Sequence, residues 1–242
     1  MQYAKEFDEI VKRRRSVRIY DNEAVFEGAA VERSLERSVL APNSSNMQLW
    51  AFYRVKSAEV KQKLVEACMH QSAAKTASEL VVFVTKQSHW RENAAWNLAN
   101  MKRQFEGKEL TSKDKRALAY YTKLMPLFYR NDFFGINTLI RKIIIGYLGF
   151  NKPILRLTNE ADQRIMCHKS VALAAQTFML SMTAEGYDTC PMEGFDKFMV
   201  KKILQLDKTD EVTMIVACGK GKPEGIYSER TRLPNNKVIF TI

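Results

Sequence analysis

Across residues 3 to 15 the apolar side chains Phe7, Ile10 and Val11 fall at helical spacing, and the chain then becomes extended around "SVRIY". Residues 27 to 40, "EGAAVERSLERSVL", repeat that spacing with Val31, Leu35 and Leu40 near one face, and Pro42 ends the pattern. "AFYRVK" (51 to 56) and "LVVFVTK" (80 to 86) carry the dense β-branched and aromatic runs of strands, the second apolar enough to be central, with a helix around 58 to 70 between them. Residues 162 to 185 predict a long core helix whose stripe is Val171, Ala174, Ala175, Phe178, Met179 and Met182, stopped by Gly186. "EVTMIVACGKG" (211 to 221) reads as a strand entering a basic loop. "KVIFTI" at the end reads as a strand with no partner nearby in sequence.

Between about Trp90 and Asn159 the pattern is mostly helical and rich in aromatics, including "YYTKLMPLFYRNDFFG", an elaboration on the simpler framework around it. Its most apolar run, Lys142 to Phe150, falls far short of the ~20 residues a membrane span needs, so it reads as a core or lid helix. The 242 residues contain no internal repeat and predict one domain, 1 to 242, with this elaboration at about 90 to 160.

Charge adds a question that the pattern alone does not raise. Lys and Arg number 38 against 27 acidic residues, and the run Lys12 to Arg15 is followed at once by Arg18. Such an excess favours anionic partners, whether phosphates, nucleic acid or acidic membrane. The cysteines Cys68, Cys167, Cys190 and Cys218 form no C-x-x-C, and "MQYAKEFDEI" is not a secretory signal, which together predict a reducing cytoplasm. His70, His89 and His168 lack metal-ligand spacing, which argues against a zinc site. The sequence holds no G-x-S-x-G elbow, no phosphate loop and no G-x-G-x-x-G after a strand, so a bound phosphate must be held by side chains.

"RRSVRIY", "APNSSNMQLW", "GYDTCPMEGFD" (186 to 196) and "RTRLP" (230 to 234) occur in that order between Arg14 and Pro234. This constellation resembles the nitroreductase family of FMN-dependent oxidoreductases. The resemblance implies an α+β nitroreductase fold, a mixed and mainly antiparallel sheet flanked by helices, in an intertwined homodimer with FMN at the interface. On that pattern Arg14, Ser16, Arg230 and Arg232 form the FMN phosphate clamp, Arg18 lies near N1 and O2 of the isoalloxazine, and Arg15 counts among the cofactor-binding residues. Pro42, Asn43, Ser44 and Asn46 contact flavin from the partner subunit, with Gln48 and Trp50 extending the motif. The backbone N–H of Glu193 faces flavin N5, and Pro191, Met192 and Gly194 shape the chain against the ring, glycine permitting close approach. A further polar contact falls at His70 or Gln71. Asn43 and Leu49 stand where relatives usually carry Ser and Pro.

The resemblance further implies ping-pong reduction of nitroaromatics or quinones by NAD(P)H, with no side chain acting as general acid or base. "KVIFTI" then adds to the partner's sheet. Tyr120, Tyr121, Phe133 and Phe134 are weak candidates for substrate contact, packing being the commoner role of such a stripe. Cys190 reads as a small buried residue and His168 as a helix residue of no special role. The alternatives are a reductive dehalogenase or flavin-cleaving enzyme of the same family and, from a different class, a basic nucleic-acid-binding module. The preferred reading has no nucleic-acid or membrane partner.

Overall fold

The computed structural model describes residues 2–129, 135–151, 153–157 and 159–242. Among these, one antiparallel sheet of β1 (Trp50–Val55), β2 (Glu79–Thr85), β3 (Asp188–Met192) and β4 (Glu211–Gly219) runs in the order β1-β2-β4-β3. β2 is central and buried along its whole length, as its unbroken apolar run requires. β3 is an edge strand, which explains how Pro191 can occupy it: its missing N–H is tolerated where one side of the strand has no ladder to serve.

Helices α1 (Gln2–Arg13), α2 (Gly28–Ser38), α3 (Ala58–Ala67), α4 (Ser72–Thr76) and α10 (Lys197–Ile203) surround this sheet, and α9 (Glu160–Ala184) crosses it. α9 starts at a reciprocal cap between Asn159 and Asp162 and stops at Gly186, whose φ of 87° continues the chain in a left-handed turn. Val171, Ala175, Phe178 and Met182 of α9 pack with Val31, Val81, Phe83 and Val216 into one core, and a second core on the other face joins Leu64, Leu80, Val82, Cys190, Met192 and Ile215. The elaboration comprises α5 (Trp90–Gln104), α6 (Ser112–Ala119), a five-residue π-turn (Tyr120–Leu124), α7 (Met125–Tyr129) and α8 (Ile136–Leu148).

Several sequence expectations are corrected here. α2 ends at Ser38, so Leu40 leaves the helical phase and is 81% exposed instead of joining Val31. The helix expected over 58 to 70 ends at Ala67, because Met69 and His70 adopt left-handed φ of 55° and 54°. The run from Lys142 to Phe150 is not core in this chain, since Ile143, Ile144 and Phe150 are all exposed. Val238 to Ile242 form no strand within the chain; Asn235–Lys237 makes a 3₁₀ turn and the residues after it are exposed. Phe133 and Phe134 lie outside the described residues.

Candidate functional site

The backbone brings the two ends of the chain side by side. Ser16 forms a parallel bridge with Thr189 of β3, and the Val17 amide donates to Thr189 O at 3.1 Å. The returning C-terminal segment packs against the same stretch: the Arg18 amide donates to Gly225 O at 2.9 Å and the Lys222 amide to Ile19 O at 2.9 Å. Gly225 is required by this closeness, because a Cβ there would lie 2.7 Å from the Ile19 nitrogen.

Between these segments opens a cleft of about 280 Å³ lined by Arg14, Arg15, Ser16, Arg18, Arg230 and Arg232, with Ile226, Tyr227, Ser228, Glu229 and Thr231 between them. Arg14 is half-buried. Its burial, followed by the charges of Arg230, Arg232 and Arg15, pulls its guanidinium below the ordinary value. Each neighbour is itself anchored. Arg15 Nη2 donates to Ser228 O at 2.6 Å, the Arg18 guanidinium lies 5.1 Å from the centre of the Tyr227 ring, and Arg232 Nη1 donates to Thr231 O at 2.7 Å. Arg230 donates to Lys12 O at 3.0 Å and also to Arg14 O, capping the last carbonyls of α1 where a cation suits the helix dipole. Five guanidinium groups held together against their mutual repulsion fit a dianionic phosphate, which would convert that repulsion into attraction. Tyr227 and Ser228 were missed by sequence reasoning, and "IYSER" carries no signal that could have marked them.

The Ser16–Thr189 bridge ties the start of β3 to this cleft. Pro191 and Met192 end β3, and Glu193 and Gly194 follow it, exposed. Gln71 Nε2 donates to Gly194 O at 2.5 Å, so Gln71 touches the segment, while His70 is an exposed residue of left-handed backbone. The Cys190 thiol is buried; burial raises its pKa while the Arg18 and Arg14 charges oppose that rise. His168 bonds Thr213 Oγ1 at 2.9 Å and lies 3.4 Å from Glu211 Oε2, holding α9 on β4.

The loop holding Pro42, Asn43, Ser44 and Asn46 lies elsewhere in the chain. Ser44 N donates to Ser170 Oγ of α9 at 3.2 Å, its hydroxyl meets Met166 Sδ at 2.8 Å, and Asn43 Oδ1 accepts from the Gln48 amide at 2.9 Å. Within one chain this loop and the arginine cleft line different cavities. Tyr120 and Tyr121 are half-buried against the loop, their hydroxyls meeting Ser45 Oγ at 2.5 Å and Ser45 O at 2.8 Å.

Comparison with known proteins places this geometry. The model of the nitroreductase family matches residues 11–220. MhqN of Bacillus subtilis (strain 168), by name an NAD(P)H nitroreductase, is 26% identical over 235 residues, covering 97% of this chain and 98% of MhqN. Among solved structures, YdfN of Bacillus subtilis superposes with a TM-score of 0.75 at 24% identity, covering 99% of this chain and 100% of that one. A protein of Exiguobacterium sibiricum, a nitroreductase by name solved in complex with FMN, has a TM-score of 0.66 at 23% identity, with 98% and 97% covered. By its sequence from Val11 to Lys220 and by its fold, the chain belongs to the nitroreductase family.

Proposed function

We propose that this chain is an FMN-dependent NAD(P)H oxidoreductase that reduces nitroaromatics or quinones, working as a homodimer in a reducing cytoplasm and folding as one domain over residues 1 to 242. The observation that carries the reading is the convergence of Arg14, Arg15, Arg18, Arg230 and Arg232, from segments some 200 residues apart, on one cleft whose Ser16 bridges Thr189 of the strand leading to Met192, Glu193 and Gly194. When bound, FMN supplies reversible hydride transfer at N5, which lets one site serve the nicotinamide donor and the acceptor in turn. Arg14, Ser16, Arg230 and Arg232 would hold the phosphate by charge-assisted hydrogen bonds, each contributing on the order of 1.5–3 kcal/mol. Arg18 is the cation assigned to the pyrimidine end of the ring, where positive charge favours hydride uptake. Met192, Glu193 and Gly194 offer backbone to the ring's reactive edge, with Gln71 fixing Gly194 from behind.

The loop of Pro42, Asn43, Ser44 and Asn46 is assigned to the partner's flavin. Its attachment to Met166 and Ser170 of α9, away from its own chain's arginine cleft, supports that assignment. The nucleic-acid reading is weakened, since Arg14, Arg15 and Arg18 of the basic run line a concave cleft, although Lys12 and Arg13 stay exposed outside it. A visible spectrum of the purified protein tests the proposal. Flavin absorption that bleaches on adding NADPH and returns with menadione or a nitrofuran is expected; a colourless protein that takes up no FMN would sink the reading.

A further inference from the structure

The loop after Pro42 is held in a backbone conformation that its own residues disfavour. Ser45, Asn46 and Gln48 have φ of 56°, 49° and 50°, the left-handed region that asparagine tolerates and serine and glutamine adopt reluctantly. Such a run persists only when its surroundings over-determine it, and here the surroundings are the elaboration. Four consecutive loop carbonyls each accept from one of its side chains: Ser45 O from Tyr121 Oη at 2.8 Å, Asn46 O from Asn97 Nδ2 at 2.8 Å, Met47 O and Gln48 O from Asn93 Nδ2 at 2.8 and 3.1 Å. Asn46 Nδ2 returns a bond to Asn97 Oδ1 at 2.9 Å, and Asn97 is buried.

The tyrosines reach the loop by a local irregularity. Consecutive residues of an α-helix diverge by about 100° around its axis and do not face one target. Tyr120 and Tyr121 open the π-turn between α6 and α7, and both hydroxyls meet Ser45, one at its side chain and one at its carbonyl.

We propose that α5 and this π-turn are the template of the flavin loop, with Tyr120, Tyr121, Asn93 and Asn97 as positioning residues that pre-form it for the isoalloxazine ring. The inference rests on the reading that the loop touches flavin, and it gives the start of the elaboration a role distinct from substrate contact. Because the loop already holds its left-handed course, flavin binding need not supply the ordering energy.

The test titrates the full-length protein, freed of flavin, with FMN and with riboflavin, following the quenching of flavin fluorescence. Tyr121→Phe keeps the ring and removes only the hydroxyl. Asn93→Asp keeps the shape but sets a carboxylate against two carbonyl oxygens. Both variants are expected to weaken FMN and riboflavin by the same factor, about three- to tenfold for Tyr121→Phe and more for Asn93→Asp, and to shift the visible band of bound flavin. Arg232→Ala, by contrast, should lower FMN affinity alone and leave riboflavin unchanged. Unaltered affinity for both flavins in both variants, a loss confined to FMN, or a lowered melting temperature with unaltered affinity would each overturn the template. Failure of the wild-type protein to take up either flavin would instead remove the cofactor reading on which the template stands.

Discussion

Arg14 illustrates how a binding residue can work against its own fold. Half-buried beside Arg230, Arg232 and Arg15, its cation destabilises the unliganded cleft and stabilises an occupied one. Arg14→Met should therefore leave the melting temperature of the flavin-free protein unchanged or a degree or two higher, and abolish most of the rise that saturating FMN gives the wild type; scanning calorimetry with and without FMN checks both halves. Arg232→Ala, at the exposed end of the clamp, should weaken FMN roughly ten- to hundredfold with the fold intact, and a fluorescence titration reads the loss. The cationic members of this cleft were legible because motif spacing preserves them at positions 14, 15, 18, 230 and 232. Their supports were not. Tyr227 under Arg18 and Ser228 O at Arg15 are contacts between segments about 210 residues apart, which no local periodicity encodes. The Gln71–Gly194 contact likewise follows the left-handed break at Met69 and His70.

Elements were easiest to read where one physical signal dominated. The core stripe of α9 and the unbroken run of β2 stand where the pattern put them, because burial on a known face leaves few alternatives. β3 escaped notice: five residues with a proline inside carry no strand signature, and only its edge position in the assembled sheet makes Pro191 harmless. The π-turn has no sequence signal either, since Tyr120 and Tyr121 fit an ordinary helix equally well. How α2 docks on α9 yields a pH prediction. Glu185, at the end of α9, accepts from Arg33 and Arg37 of α2 at 2.5 Å each, and these bonds lower its pKa from 4.5 to about 2. A carboxylate held low in the folded state adds stability that is complete above its unfolded value of 4.5 and is lost as pH falls through about 2. The wild type should accordingly lose more melting temperature between about pH 5 and pH 2.5 than Glu185→Gln does, by a few degrees, with the two curves converging at the acid end. At the same helix end, Gly186→Ala forces a Cβ into φ of 87° and should lower stability by about 1 kcal/mol while leaving FMN affinity unchanged, as chemical denaturation and titration together would show.

At the scale of the whole molecule, the described residues of one chain leave much apolar surface uncovered, which supports the proposed homodimer. On α9, Ile165 and Leu173 lie outside the buried stripe as a first exposed apolar stretch, at 52% and 47% exposure. Ile136, Leu139, Ile143 and Tyr147 of α8 form a second exposed stripe, and Val238, Ile239, Phe240 and Ile242 a third. The loop after Pro42 is fastened to α9 through Met166 and Ser170, two turns and one turn before Leu173, so in the proposed dimer the surface meeting a second copy would be continuous with the loop assigned to that copy's flavin. On that reading assembly and cofactor binding are one event, and a mutation can separate them only in one direction. Arg232→Ala should sediment as a dimer that holds little FMN, the clamp being damaged inside an intact assembly. Leu173→Glu would place a charge in the proposed contact between copies, and should sediment as a folded monomer whose FMN affinity falls at least as far as that of the clamp variant, although every arginine is present. Sedimentation equilibrium run beside flavin titration decides the matter: a Leu173→Glu monomer that binds FMN as tightly as the wild type would show that one chain completes its own site, and the loop at Pro42 would then have no claim on the flavin.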